Sequence, residues 1–292
     1  MIKTDMHTHT TASVDGYSTM RGIAQAAQAA GLSTICLTEH RDHLHLEDVL
    51  PWMIDKLGFS REQALGRIVR DGDHGYIHVD YDEYLEEVQA LNNEYDGTLE
   101  LLFGIELGLC QNFRDELETF AASLPFDFII GSQHTVAGRD INSSGFFDLG
   151  KKVAYTTKLE EMLSNAETFD CFDVFGHLDY VARYAPYGGD TMLSMGEFGE
   201  VIDEFLKALI RRGKGIEINT SGMRYGLGYV HPQPEILRRY KELGGEIITV
   251  GSDAHHFSDV GANLKEAQEA LWAAGFTAYT TFKKRKPIFI DL

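Results

Sequence analysis

Cysteine is scarce: the 292 residues hold three, Cys36, Cys110 and Cys171, an odd number at wide spacing. Cys36 and Cys171 sit inside apolar runs, so reduced, buried thiols are expected. A disulfide framework and a cysteine-type zinc site are set aside. No stretch rich in Pro, Gly or Ser divides the chain, and there is no internal repeat or low-complexity segment, so residues 1–292 read as a single domain. No apolar run approaches the ~20 residues that span a bilayer. The start, Met1-Ile2-Lys3-Thr4-Asp5, lacks a basic segment leading into an apolar one. No membrane partner is expected, and the location is expected to be cytoplasmic. Positive charge is also short, with 26 Lys and Arg against 45 Asp and Glu and a formal net charge of −19. A nucleic-acid binder needs a basic face to replace counterions. The one basic run, Lys283-Lys284-Arg285-Lys286, reads as a solvated turn, so no nucleic-acid partner is expected. An anionic substrate would be repelled by this chain unless bound cations offset the charge locally. None of these patterns bears on oligomeric state.

What is present is an alternation of short β-branched runs with helical patterns. Strands are expected near Ile2–Met6, Thr34–Thr38, Leu99–Ile105, Phe128–Ser132, Phe172–Phe175, Gly215–Asn219 and Glu246–Val250, with one more near Thr277–Thr281. Helices are expected near Met20–Ala30, Tyr81–Asn93, Lys158–Glu167, Met195–Arg212, Pro234–Leu243 and Ala262–Ala274, several of them stopped by a following glycine such as Gly31, Gly213, Gly244 or Gly275. This spacing calls for a parallel α/β sheet, and its strand count suits a barrel of the TIM type. About sixty residues, 41–98, interrupt the rhythm after the second strand. They read as an insertion over the barrel mouth, either a lid or a decoration.

Twelve histidines are present, and their placement matters more than their number. His7 and His9 close the first strand, His40 the second and Glu106 the third. His134 follows the fourth strand, His177 the fifth, and Asp253 and His255 the seventh, while Asp15 lies in the first βα loop. In a parallel barrel every strand C-terminus opens on one face, so residues distant in sequence meet there. Imidazole and carboxylate together are a ligand set for Zn²⁺, Mn²⁺ or Fe²⁺. His-x-His turns two imidazoles to one side of an extended chain. By contrast His43, His45, His74, His78 and His231 fall in expected loops and read as mostly solvated, and His256 is expected to point away from His255.

In this order these motifs resemble the polymerase and histidinol phosphatase (PHP) family, over nearly the whole chain. The segments Glu217-Ile218-Asn219-Thr220-Ser221-Gly222, Pro232 with Pro234-Glu235-Ile236-Leu237, Gly244-Gly245 and Gly251-Ser252-Asp253-Ala254-His255 are most similar to its histidinol-phosphate phosphatase branch. The resemblance implies a distorted (β/α)7 TIM-like barrel with two to three divalent ions (Zn²⁺, Mn²⁺ or Fe²⁺) at the strand C-termini. It implies one ion on His7, His9, Glu106 and Asp253, a second on Glu106, His134 and His177, and a third on Asp15, His40 and His255. Many members carry histidine where this chain has Asp15.

The implied activity is hydrolysis of a small phosphorylated substrate, L-histidinol phosphate, in histidine biosynthesis. The nucleophile would be a metal-bridging hydroxide held through Glu106, His7, His9, Asp253, His134 and His177. Three divalent ions set against Glu106, Asp253, Asp15 and one hydroxide leave about two positive charges, the complement of a phosphate-monoester dianion. Arg183 and Arg224 are implied as phosphate clamps, since a guanidinium pairs with phosphate oxygens, whereas Arg139 reads as a surface salt bridge. Asp42, Glu47 and Asp179 are rim acids available to an ammonium or imidazole. Two alternatives stay open: a PHP phosphoesterase for a nucleotide, another sugar or amino-alcohol phosphate or phosphotyrosine, and a non-catalytic metal-binding module. Amidohydrolase-type deacylation would call for a metal-bridging lysine at a strand end, and there is none.

Overall fold

The computed structural model describes residues 1–142 and 145–292. Seven strands pair in parallel, in chain order: β1 (Thr4–Thr8), β2 (Thr34–Arg41), β3 (Glu100–Gly108), β4 (Phe128–Ser132), β5 (Val174–Phe175), β6 (Gly215–Asn219) and β7 (Ile248–Gly251). The ring is drawn together where β7 ends beside β1: Asp253 N–H donates to His7 O at 2.8 Å and His9 N–H to Ala254 O at 2.8 Å. The helices α1 (Met20–Ala29), α2 (Tyr81–Glu94), α3 (Arg114–Ser123), α4 (Lys151–Thr168), α5 (Met195–Arg211), α6 (Pro234–Glu242) and α7 (Leu264–Ala274) follow the seven strands in turn. In α1, Thr19 caps the first turn by accepting from Gly22 N–H, and Met20, Ile23, Ala24 and Ala27 form the buried stripe.

Period-two alternation sorts each strand between two cores. On β3, Leu101, Phe103, Ile105 and Leu107 face the helices, while Leu102 joins Met6, Cys36, Phe128, Ile130, Val174 and Phe282 inside the barrel. Glu106 shares the inward parity of Leu102, two inward positions nearer the mouth, past Gly104. On β1 the pairing with β2 shifts register between Asp5 and Thr8. Such an irregularity re-aims side chains, and here the adjacent Met6 and His7 both serve the interior.

The floor of the barrel departs from expectation. Thr277–Thr281 is no eighth barrel strand. It belongs to β8 (Ala278–Lys283), which pairs antiparallel with β9 (Lys286–Asp291) in a separate hairpin. Residues just past β7 bridge to β1, and Phe282 plugs the floor with its ring centroid 5.0 Å from that of Phe128. The basic run does form the turn, with Lys284 and Arg285 both at positive φ. It is not simply solvated, however: Arg285 Nε donates to Asp173 Oδ2 at 2.5 Å and Lys284 N–H to Asp127 Oδ1 at 3.0 Å. Element ends moved elsewhere too. Strand one starts at Thr4, only Val174–Phe175 of Phe172–Phe175 is paired, and the helix expected from Lys158 begins at Lys151, just after Gly150 at φ 79°.

Within residues 41–98, α2 packs on β3 and α1 as a barrel helix. The helices Leu46–Asp55 and Arg61–Arg67 and a small antiparallel sheet of Leu44–His45, Ile68–Asp71 and His74–Ile77 lie outside that pattern. Their apolar residues, Val49, Leu50, Met53, Ala64 and Ile68, form a core of their own. Arg139 grips this subdomain through Asp48 at 2.8 and 2.9 Å. Two of the histidines expected in solvent are buried: His43 stacks on Phe113 and faces Glu116 at 2.8 Å, and His231 is fully enclosed.

Phe282→Ala empties a fully packed floor, and a large-to-small core change of this kind costs about 3–5 kcal/mol. Chemical denaturation should show that loss, with the midpoint falling and the cooperativity of unfolding retained.

Candidate metal centre

The carboxylates and imidazoles at the strand ends converge on one cage. Glu106 is fully buried at its centre. Its Oε2 lies 3.2 Å from His7 Nε2, 3.5 Å from His9 Nε2 and 3.0 Å from His40 Nδ1, and its Oε1 lies 2.9 Å from His177 Nε2 and 3.3 Å from His134 Nε2. Asp253 Oδ1 is 3.7 Å from His7 Nε2 and 3.6 Å from His9 Nε2. Asp15 Oδ2 is 3.7 Å from His40 Nε2 and 3.4 Å from His255 Nε2. All nine residues expected at the centre are therefore in contact with at least two others of the set. His256 turns away, as its parity requires, and its ring accepts from Ser258 N–H.

Three imidazole pairs meet nitrogen to nitrogen: His7 with His9 at 3.1 Å, His134 with His177 at 3.3 Å and His40 with His255 at 3.3 Å. Moreover Glu106 Oε2, His9 Nδ1, His40 Nδ1 and Asp15 Oδ1 are buried without an aligned hydrogen-bond partner. Buried polar atoms are ordinarily satisfied, so converging lone pairs beside orphaned carboxylate oxygens fit cations shared between them. Nitrogen and oxygen donors of this kind suit Zn²⁺, Mn²⁺ or Fe²⁺.

Outer partners hold the rings. Glu217 Oε1 accepts from His7 Nδ1 at 2.6 Å and Asp42 Oδ1 from His134 Nδ1 at 2.7 Å, so that in the neutral rings each Nε2 is the lone pair, turned toward the cage. Two buried acids brace the loops. Asp5 accepts from Ser252 N–H and Oγ at 2.8 and 2.5 Å, beside Asp253. Glu39 accepts from Thr10 Oγ1 at 2.7 Å and Ser13 Oγ at 2.5 Å, in the loop that carries Asp15. Gly251 is obligatory: a Cβ there would lie 2.3 Å from His7 Cβ and 2.7 Å from Glu217 Oε1. Asp253 itself adopts φ 56°, a left-handed turn that acidic residues tolerate better than most. Asp42 was expected only as a rim acid, Glu217 and Gly251 only as parts of motifs, and Asp5 and Glu39 not at all. The available signal was a carboxylate inside a strand, clearest for Glu217 between Ile216 and Ile218.

Electrostatics follow from burial and contact. Burial disfavours charge on Glu106, but His7, His134 and His40 overcome it and hold the carboxyl well below its ordinary range. Burial likewise opposes protonation of the rings. Even so, Glu217, Glu106 and Asp253 raise His7 well above its ordinary value, and Asp15 and Glu106 raise His40 to about 9. His9 goes the other way, lowered by burial and by the neighbouring His40 and His255, and His177 falls to about 4, chiefly by burial.

A cavity of about 230 Å³ opens over the cage. Its walls include Leu44, Val49, Trp52 and Ile77 from the region after β2, and Asp42, Tyr180, Arg183, Tyr184 and Tyr225. Arg183 is buried, with its Cζ 4.9 Å from the Tyr180 ring centre and 4.5 Å from that of Tyr225. Its Nη2 donates to Asp253 Oδ2 at 3.2 Å. Arg224 Nη2 donates to Asp253 O at 2.8 Å. Of the three rim acids only Asp42 lines the cavity. Asp179 is fully buried against His231, and Glu47 faces solvent.

A parallel barrel with a His/Asp/Glu cage at its strand C-termini is the arrangement of a metal-dependent hydrolase. The PHP-domain family model matches residues 5–221. A histidinol-phosphatase from Lactococcus lactis is 31% identical over 293 residues, covering 98% of this chain and 96% of that one. The crystal structure of histidinol phosphate phosphatase from the same species, complexed with zinc, L-histidinol and phosphate, has a TM-score of 0.80 at 30% identity and covers 98% of both chains. A putative histidinol phosphatase from Listeria monocytogenes shares the fold, with a TM-score of 0.68 at 19% identity over 90% of this chain and 99% of that one. The chain belongs to the PHP family.

Two measurements test this centre. His7 and His40, and His134, which burial lowers but Asp42 and Glu106 raise well above its ordinary value, are protonated at pH 7, so metal must displace protons. Calorimetry in buffers of differing ionisation heat should record proton release on metal uptake, with affinity rising as pH goes from 7 toward 9. Glu217→Gln should weaken metal binding about 10–100-fold in a chelator competition, since it removes the anionic partner that orients His7.

Proposed function

We propose that this protein hydrolyses L-histidinol phosphate to L-histidinol and inorganic phosphate, using two to three divalent ions. The observation that carries the proposal is the joining of one cage of nine ligating side chains to a buried guanidinium within a single cavity. The likeness to the Lactococcus enzyme across the whole chain supplies the substrate. His7, His9, Glu106 and Asp253 would hold one ion, Glu106, His134 and His177 a second, and Asp15, His40 and His255 a third. Asp42 also stands near His40 and His134. Its carboxylate is committed to His134 Nδ1, so we assign it to orientation. Bound divalent ions offset phosphoryl charge and make water acidic enough to supply hydroxide near neutral pH.

The chain's own residues do the rest. Glu106, reached by imidazoles on either oxygen, sets the spacing of the cage. Arg183, desolvated between Tyr180 and Tyr225, presents a permanent positive charge toward the phosphoryl oxygens, where burial strengthens its hold. Arg224, pinned to the carbonyls of Ser252 and Asp253 at 3.3 and 2.8 Å, adds positive potential at the rim. Trp52, Leu44, Val49 and Ile77 give the alcohol half an apolar wall that excludes water, and the second oxygen of Asp42, which His134 does not take, is an acceptor for a cationic group.

Phosphate release from L-histidinol phosphate should exceed that from nucleotides, sugar phosphates and phosphotyrosine by at least about tenfold in kcat/KM, or ~1.4 kcal/mol of transition-state binding. A flat profile across that panel would remove the substrate assignment and leave a broad PHP phosphoesterase.

A further inference from the structure

His231 and Asp179 carry no role in the hydrolysis as described, yet both are fully buried one layer behind the cavity. Arg183 Nε donates to His231 Nε2 at 3.0 Å. A guanidinium can only donate, so Nε2 must present its lone pair and the ring proton must sit on Nδ1. That proton points at Asp179 Oδ1, in a contact shorter than an ordinary hydrogen bond. The second oxygen of Asp179 accepts from Gln233 N–H at 2.9 Å, which fixes the carboxylate in turn. The ring is anchored through its backbone as well. His231 and Asn219 exchange two hydrogen bonds of 2.8 Å, tying residue 231 to the end of β6. The chain also runs so close to Gly222 that a Cβ there would meet Tyr229 O at 2.4 Å. The result is a line of defined donors and acceptors, Gln233 to Asp179 to His231 to Arg183, ending at Ser221 and Asp253.

We propose that His231, held by Asp179 as the tautomer with a free Nε2, is a positioning residue for the phosphate-binding Arg183. The acceptor at Nε2 turns the Nε edge of the guanidinium away from the cavity and keeps its Nη edge beside Asp253. Without it the long side chain regains rotamer freedom, and phosphate binding carries the cost of ordering it. The proposal rests on Arg183 being the clamp, and the test separates the two ideas.

The variants are His231→Met, His231→Gln, Arg183→Ala and the double variant Arg183→Ala/His231→Met. Each is loaded with zinc, checked for metal content and thermal unfolding, and assayed for KM, kcat and inhibition by inorganic phosphate. Met and Gln are alike in shape, but only Gln offers an oxygen acceptor to Arg183 and an N–H to Asp179. His231→Met is expected to raise KM and the phosphate inhibition constant about tenfold, with kcat and zinc content near wild type. His231→Gln should recover most of that loss, and His231→Met should add nothing in the Arg183→Ala background. The proposal is overturned if Met and Gln variants are equally impaired, if the two losses add in the double variant, or if neither constant moves. If His231→Met does not fold, Asp179→Leu substitutes for it, since it removes the acceptor that holds the proton on His231 Nδ1. The same rise in both constants is expected, and its absence counts against the proposal. Should Arg183→Ala alone leave phosphate inhibition unchanged, the clamp assignment fails instead.

Discussion

A carboxylate at zero exposure, ringed by imidazoles, governs how this molecule is built. Burying Glu106 away from water costs several kcal/mol unless compensating charge surrounds it, and the compensation comes from strands β1, β2, β4 and β5 at once. The same demand explains the outer layer. Glu217 and Asp42 dictate which nitrogen of His7 and His134 faces inward, and Asp5 and Glu39 lock the two loops that carry Asp253 and Asp15. The centre is a product of the closed barrel, since no two adjacent strands contain enough of these groups to satisfy one another.

That dependence also separates what the sequence disclosed from what it did not. Strand ends bearing His7, His9, His40, Glu106, His134, His177, Asp253 and His255 were legible because a parallel barrel gathers all strand C-termini on one face, so position along the chain translates into position in space. The partners behind them were not legible, because a hydrogen bond such as Glu217 to His7 joins residues 210 apart and leaves no local pattern. His231 was misread for the opposite reason. Its neighbours Pro232 and Pro234 announce a loop, and a loop suggests solvent, but this one is pressed against Gly222. The extra strand failed because β propensity says that Ala278–Lys283 is extended without saying which edge it meets. The two-residue turn at Lys284 and Arg285, which folds it into a hairpin, overrode the seven-plus-one count.

Charge is partitioned sharply. A chain with a net charge of −19 keeps Arg183 in its interior, and the cage is suited to cations that would make the cavity positive. Histidinol phosphate carries both signs, and the cavity lining has both: the Arg183 guanidinium, and the Asp42 carboxylate with the apolar side chains of Trp52 and Val49. The region after β2 supplies the carboxylate and the apolar side chains, and the Asp48–Arg139 pair fastens it to the segment that follows His134. The wall proposed for the alcohol and the metal cage therefore share a mechanical link.

The Phe282 plug has a consequence for traffic. With the lower end of the barrel stoppered by an aromatic ring and a salt-linked turn, ions and substrate have a common doorway at the upper mouth. Whatever occupies the cavity stands between the ions and bulk water. Bound product would act as a cork, slowing metal escape to a chelator, and an empty enzyme would be at its most vulnerable to stripping between turnovers.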